Sequence, residues 1–172
     1  EVMDAARELF EELDGAGVRV HMDDRDLRPG EKFYHWERRG VPIRMELGPR
    51  DLRNGQVMLA VRDTGDKTPV RREELLETLE TMMADMQYRM LERAETDLRS
   101  RIKDMDDIPR DFEIEDIIRV GWCGEEDCAT QIETELEVTF LGEDMDHKNP
   151  PMPRCTTCGG TSMRTMYVSR TY

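Results

Sequence analysis

At 172 residues, with hydrophobic and charged residues each at 37%, the chain has room for one large domain or two small ones and for only a modest core. No apolar run approaches the ~20 residues a membrane helix needs, so a soluble protein with no membrane partner is expected. A net charge of −14 argues on average against nucleic acid, which rewards basic surface.

The average hides a contrast. Residues 19–72 carry thirteen Lys and Arg against nine acids, inside a chain that is acidic on both sides. Arginine outnumbers lysine by twenty-one to four, and Arg is the better residue for bidentate phosphate and base contacts. An Arg-favouring, acidic surface suited to a salty cytoplasm accounts equally well for that composition, so the local excess is only suggestive.

Residues 1–14 place Val2, Ala5, Ala6, Leu9, Phe10 and Leu13 at three-to-four spacing, an amphipathic helix ended by Gly15-Ala16-Gly17. A helix already running at Glu1 suggests a piece of a longer chain. Residues 18–22 alternate as a strand, and a polar loop precedes a second helix over 31–39, closed by Gly40. Residues 41–47 form another strand, 48–55 a loop, 56–62 a further strand and 63–67 a turn. From about Arg71 to Met105 the positions Leu75, Leu79, Met82, Met86, Met90, Ala94, Leu98, Ile102 and Met105 predict one long helix with a buried stripe that carries four methionines. This order predicts an α/β unit with a mixed sheet, ending near 104–109. The domains are thus expected at 1–105 and 106–172. The second should be small and α+β, with strands over 136–141 and 163–168 and a loop over 144–153.

All four cysteines lie in this second unit, as Cys123-x4-Cys128 and Cys155-x2-Cys158. Two close pairs are the ligand arithmetic of a structural zinc site, each knuckle offering two thiolates to a tetrahedral cation. Two disulfides in a secreted domain, or four unrelated thiols, are the other readings. Nothing resembling a signal peptide precedes the chain, which favours a reducing cytoplasm and a metal. Fewer than ~70 residues rarely stabilise themselves, so a metal here makes thermodynamic sense.

Catalytic motifs are missing. The sequence has no phosphate-cradling glycine loop, nucleophile elbow or metalloprotease helix, and His21, His35 and His147 stand far apart in it. No catalytic residue is assigned. Residues 19–72 instead read as a binding surface. Lys32, Trp36, Arg38 and Arg39 share a helix with Glu31 and Glu37, and Arg44, Glu46, Arg50, Asp51 and Arg53 extend the set. Splayed single-stranded bases are recognised by such mixtures, through stacking on aromatic or guanidinium planes and carboxylates that accept from base amino groups. A carboxylate cannot accept from phosphate, so acids within a basic strip argue for base readout. Ordinary surface charges, and a core role for Trp36, are the plainer readings.

Four features, taken together, resemble one family. They are Lys32-Phe33-x-x-Trp36-Glu37, Gly40-Val41-Pro42, Gly48-Pro49-Arg50-Asp51-Leu52 and the two cysteine pairs with a terminal Tyr172. The chain resembles the anticodon-binding domain of class II aminoacyl-tRNA synthetases, and most specifically prolyl-tRNA synthetases of the archaeal and eukaryotic type, which end in an added zinc-binding domain and a tyrosine. The resemblance covers essentially all 172 residues.

It implies a five-stranded mixed sheet, a long helix and a compact zinc domain held by Cys123, Cys128, Cys155 and Cys158. It implies that the anticodon of proline tRNA is gripped by Glu31, Lys32, Glu37, Arg38, Arg50 and Asp51, with Arg28 and Arg53 on phosphates. Tyr172 would contact a catalytic domain, which alone would use ATP and Mg²⁺ and whose motifs are not in this chain. The fragment alone should then be inactive and should begin inside the first helix of its domain, with one strand missing. The full enzyme is expected to be a cytoplasmic homodimer with no DNA partner. A stand-alone zinc-stabilised RNA-binding module, or a structural adaptor working through the methionine-rich helix, is the alternative.

Overall fold

The computed structural model describes residues 1–104, 116–143 and 149–171. Most of the expected domain junction, the first half of the loop at 144–153, and Tyr172 lie outside the described residues. Two compact units emerge, Glu1–Glu92 and Arg93–Tyr172.

In the first unit, helix α1 (Val2–Gly15) turns Leu9 and Leu13 inward. Helix α2 (Pro29–Arg38) begins with proline at its first turn, where the missing N–H costs nothing, and ends with His35 and Arg38 near its negative pole. Strand β1 (Ile43–Glu46), the short helix α3 (Pro49–Arg53), and strands β2 (Gln56–Val61) and β3 (Lys67–Arg71) follow, before helix α4 (Leu75–Arg101). The sheet order is β1-β2-β3 and every pairing is antiparallel. Pro69 sits on edge strand β3, where a missing donor is tolerated. Leu9, Leu13, Val57, Leu59, Val70, Leu75 and Leu79 form the core. Burying each such side chain contributes about 1.5–3 kcal/mol.

Four departures from the sequence reading have physical causes. Residues 18–22 form no strand. Val18 and Val20 pack on the core, but the segment has no ladder partner among the described residues, so the five-stranded sheet is not reached. The expected loop at 48–55 contains α3, which Pro49 initiates and Asp51 caps by accepting from the Gly48 N–H at 3.1 Å. Strand β3 (Lys67–Arg71) fills the gap between the expected turn at 63–67 and the expected helix start near Arg71, where no strand was expected. Finally, the apolar stripe of α4 is covered only at Leu75, Leu79 and Met86, with Met82 half-buried. Met90, Ala94 and Leu98 are exposed. A 27-residue helix runs about 40 Å, twice the length of a six-residue strand, so its far half outreaches the sheet.

In the second unit, strands β4 (Ile102–Asp104), β5 (Ile117–Trp122), β6 (Thr139–Glu143) and β7 (Arg164–Ser169) order as β4-β5-β7-β6. Its β4–β5 pair is parallel and the others antiparallel, so among the described residues the mixed pairing expected of the first unit occurs here. Helix α5 (Glu126–Leu136) contributes Ile132 to a core of Ile118, Val120, Val138 and Val168.

Candidate nucleic-acid interface and metal centre

Helix α2 organises the first site. Its inner face leans Lys32, Phe33 and Trp36 on the body of the unit, while Glu31, Tyr34 and Arg38 stay exposed. Trp36 is half-buried and donates its indole N–H to the Asp23 carboxylate at 2.7 Å. The same carboxylate takes a two-pronged contact from Arg25, at 2.8 and 2.7 Å, and Lys32 Nζ donates to the Asp23 carbonyl at 3.0 Å. These bonds hold Asp23 far below the usual carboxylate range, the Arg25 contact first and the Trp36 indole assisting, against the opposing effect of burial. His21 leans on the Trp36 ring at 4.5 Å and His35 meets it edge-on at 5.0 Å. Partial burial, then the charges of Arg25 and Arg39, push the His35 imidazole down, so it is neutral at pH 7.

A second knot joins α2 to the sheet. Arg44 bonds Glu37 at 2.5 Å and Glu46 at 3.0 Å, and its guanidinium lies 3.9 Å from the Phe33 ring centre. Lys67 closes the knot on Glu46 at 2.8 Å. Burial pushes the Glu46 carboxyl up, but Lys67 and Arg44 outweigh it and leave it lowered. Beside this knot a cleft of about 260 Å³ is lined by Trp36, Glu37, Arg44 and Arg62. Its walls offer an aromatic plane, guanidinium donors and a carboxylate acceptor, the mixture suited to a splayed base.

The expected reading groups therefore stand in different situations. Lys32 and Glu37 are tied into the two knots. Asp51 turns to its own helix, accepting from Gly48 and from the Gln56 amide at 3.2 Å. Among the described residues the side chains of Arg28, Glu31, Arg50 and Arg53 have no hydrogen-bond or ion-pair partner, and Arg38 lies over the Tyr34 ring at 5.6 Å. Those exposed groups are free to meet a ligand. Asp23, Arg25 and Lys67 escaped the sequence reading because their partners lie 13 to 21 residues away or in a loop without periodicity. The Arg44–Glu46 pair was legible, because i,i+2 residues share a strand face.

The second site gathers the four cysteines. Cys123 follows β5, Cys128 lies in the first turn of α5, and Cys155 and Cys158 sit on a tight knuckle. In that knuckle the Cys155 N–H donates to the Gly160 carbonyl at 2.8 Å, and the Gly159 N–H to the Cys155 carbonyl at 2.9 Å, with Gly159 at φ 68°. The knuckles are tied together: Thr156 N–H donates to the Gly121 carbonyl, and the Thr157 hydroxyl to the Cys128 carbonyl. A Cβ at Gly121 would stand 1.9 Å from the Arg154 carbonyl oxygen, so only glycine permits this approach.

All four are free thiols, with sulfurs within 4.8 Å of one another. Thiolates around a tetrahedral cation with bonds of about 2.3 Å stand about 3.8 Å apart, so the donor set fits a metal. Burial pushes the Cys155 thiol up, but backbone N–H groups of Cys158, Thr157 and Cys123 outweigh it and bring it to about 6. Contact with the Cys123 sulfur, then burial and the other two sulfurs, pushes Cys128 up to about 12. Protons retained in such a crowded set leave when a cation binds.

Residues 1–82 match a family described as an anticodon binding domain, and residues 105–172 one described as the C-terminal part of prolyl-tRNA synthetase. The chain belongs to the prolyl-tRNA synthetase family. A proline–tRNA ligase of Pyrococcus abyssi is 41% identical over 99% of this chain and 37% of its own length. Those of Thermococcus kodakarensis and Methanothermobacter thermautotrophicus are each 40% identical, over 97% and 92% of this chain and 36% and 33% of their own lengths. The chain thus spans about a third of the prolyl-tRNA synthetases it matches, as a C-terminal portion with the anticodon-binding domain in its first unit and the cysteine cluster in its second.

Proposed function

We propose that this chain is the tRNA-recognising portion of a cytoplasmic, homodimeric proline–tRNA ligase. It grips the anticodon loop of proline tRNA while a catalytic domain outside this chain attaches proline using ATP and Mg²⁺. The observation that carries the reading is the anticodon-binding match over the same 82 residues that bear the arginine-rich, carboxylate-dotted face. A stand-alone module or an adaptor is not better supported.

In mechanism the face positions its ligand and touches no reacting bond. Arg28 and Arg53 meet phosphates, while Glu31, Lys32, Glu37, Arg38, Arg50 and Asp51 form the base-reading set, with Arg44 holding Glu37 in place. Binding energy gained at the remote anticodon orients the acceptor end and raises selectivity. The four cysteines hold Zn²⁺, which supplies a cross-link rather than catalysis, and Tyr172 contacts the catalytic domain. The second domain begins near residue 106 in this reading. Filter-binding or anisotropy titration tests it: the chain should bind proline tRNA, weaken as salt rises, and bind a tRNA with a changed anticodon at least about tenfold less tightly. Equal binding to both tRNAs would remove base readout.

A further inference from the structure

We propose that Asp23, an acid within the basic face, is a positioning residue for RNA: it holds Arg25, Lys32 and Trp36 in one arrangement before the ligand arrives. The inference rests on the tRNA-binding reading and adds to it a residue that lies outside the reading set.

The geometry is specific. The Asp23 side chain is 12% exposed, and its two oxygens receive Arg25 Nε, Arg25 Nη2 and the Trp36 indole N–H, all between 2.7 and 2.8 Å. Its main-chain carbonyl takes Lys32 Nζ at 3.0 Å. One residue therefore joins a loop that has no regular structure to the middle of α2, across nine and thirteen positions of sequence. Arg25 is fixed by two parallel bonds through Nε and Nη2, with no partner for Nη1 among the described residues, and 41% of its side chain stays exposed. Lys32 uses one of its three donors here and keeps two. Arg25 and Arg39 both approach the Trp36 ring, at 6.0 and 5.5 Å, so the indole that Asp23 orients is also the floor of a cationic cluster. Unheld Arg and Lys side chains lose rotamer freedom when they bind, and fixing them beforehand lowers that cost.

The inference has a sign that simple electrostatics does not share. Removing a carboxylate from a basic face should strengthen binding to a polyanion and steepen its salt dependence. A positioning carboxylate does the reverse. In anisotropy titrations of this chain with a labelled proline tRNA transcript at several salt concentrations, Asp23→Ala should weaken binding about tenfold, the cost of freeing two long side chains. The slope of log affinity against log salt should flatten by about one phosphate contact. Asp23→Asn keeps a carbonyl for the Trp36 indole and gives up the charge that orients Arg25. It should fall between wild type and Asp23→Ala, and it carries the test if the alanine variant does not fold. Adding Arg25→Gln to Asp23→Asn should cost less than Arg25→Gln costs alone, because the two act as a unit. Unchanged or tighter binding by a folded Asp23 variant, with an unchanged or steeper slope, overturns the inference while leaving tRNA binding intact. Failure of the wild-type chain to bind proline tRNA overturns the function itself.

Discussion

Single side chains decide whether the α2 face is a scatter of charges or an ordered surface. Twelve residues between Asp23 and Trp36 make no pattern in the sequence, yet the fold closes that distance to 2.7 Å. Glu46 and Asp23 are both held below their ordinary pKa values by cationic partners. For a group depressed in the folded state, the stabilisation is complete above its unfolded value near 4 and is lost as pH falls toward the folded value. The contribution of these two carboxylates to the urea midpoint should therefore be flat from about pH 7 to pH 5 and drop below about pH 4, while His35, held neutral in the fold, adds a separate loss as pH falls through its unfolded value near 6.5. Glu46→Gln should lower the neutral-pH midpoint and remove part of the acid-dependent drop. A variant as acid-sensitive as wild type would show that the Arg44–Glu46–Lys67 knot adds nothing to stability. At Gly121 the constraint is steric. Gly121→Ala drives a methyl into the Arg154 carbonyl and should destabilise the second unit by about 1–3 kcal/mol, read as a lower chelator concentration for its unfolding.

At the scale of elements, periodicity and coverage part company along α4. The helix that the spacing predicts from about Arg71 to Met105 is realised over Leu75–Arg101, with Ile102 passing into β4 instead, and only its first three turns meet a core. Periodicity reports that apolar residues recur on one face, and nothing in it says how far another element extends to cover them. Leu79→Ala should cost about 2–5 kcal/mol in equilibrium unfolding, against within about 0.5 kcal/mol for Leu98→Ala. Equal costs would mean that the far half of the helix is as well packed as the near half. Residues 18–22 show the same lesson in a strand: alternation puts Val18 and Val20 inward, but a strand exists only where a neighbour supplies the ladder. In α3 the local chemistry was present in Pro49 and Asp51, and reading Gly48 and Pro49 as loop signals obscured it. For Asp51→Asn the loss should be roughly 1 kcal/mol of stability through its cap. A larger loss of tRNA affinity than of stability would support the place of Asp51 in the base-reading set, and a loss of stability alone would remove it.

At the scale of the molecule, the charge contrast and the cysteine cluster fall in different units. The first unit carries the basic stretch on an apolar core of its own, and the second has a five-residue buried cluster beside four converging thiols. A domain with so small a core leans on its cross-link. Chelation should then unfold the second unit and spare the first. Metal analysis should return one zinc per chain. Far-UV circular dichroism indifferent to chelator, or no bound metal, would end that account.

Both knuckles and the family they mark were legible in the sequence, because ligand spacing and the Lys-Phe-x-x-Trp-Glu, Gly-Val-Pro and Gly-Pro-Arg-Asp-Leu runs are local. The positions of α1, α2 and most of α4 were legible for the same reason, hydrogen bonds that reach four residues leaving a period in the chain, whereas α3 and α5 were not read. The tertiary structure alone decided that Asp23 meets Trp36, that Arg44 joins Glu37 to Glu46, and that half of α4 lies bare. Those facts depend on which surfaces come together across tens of residues, and short-range pattern carries no record of them.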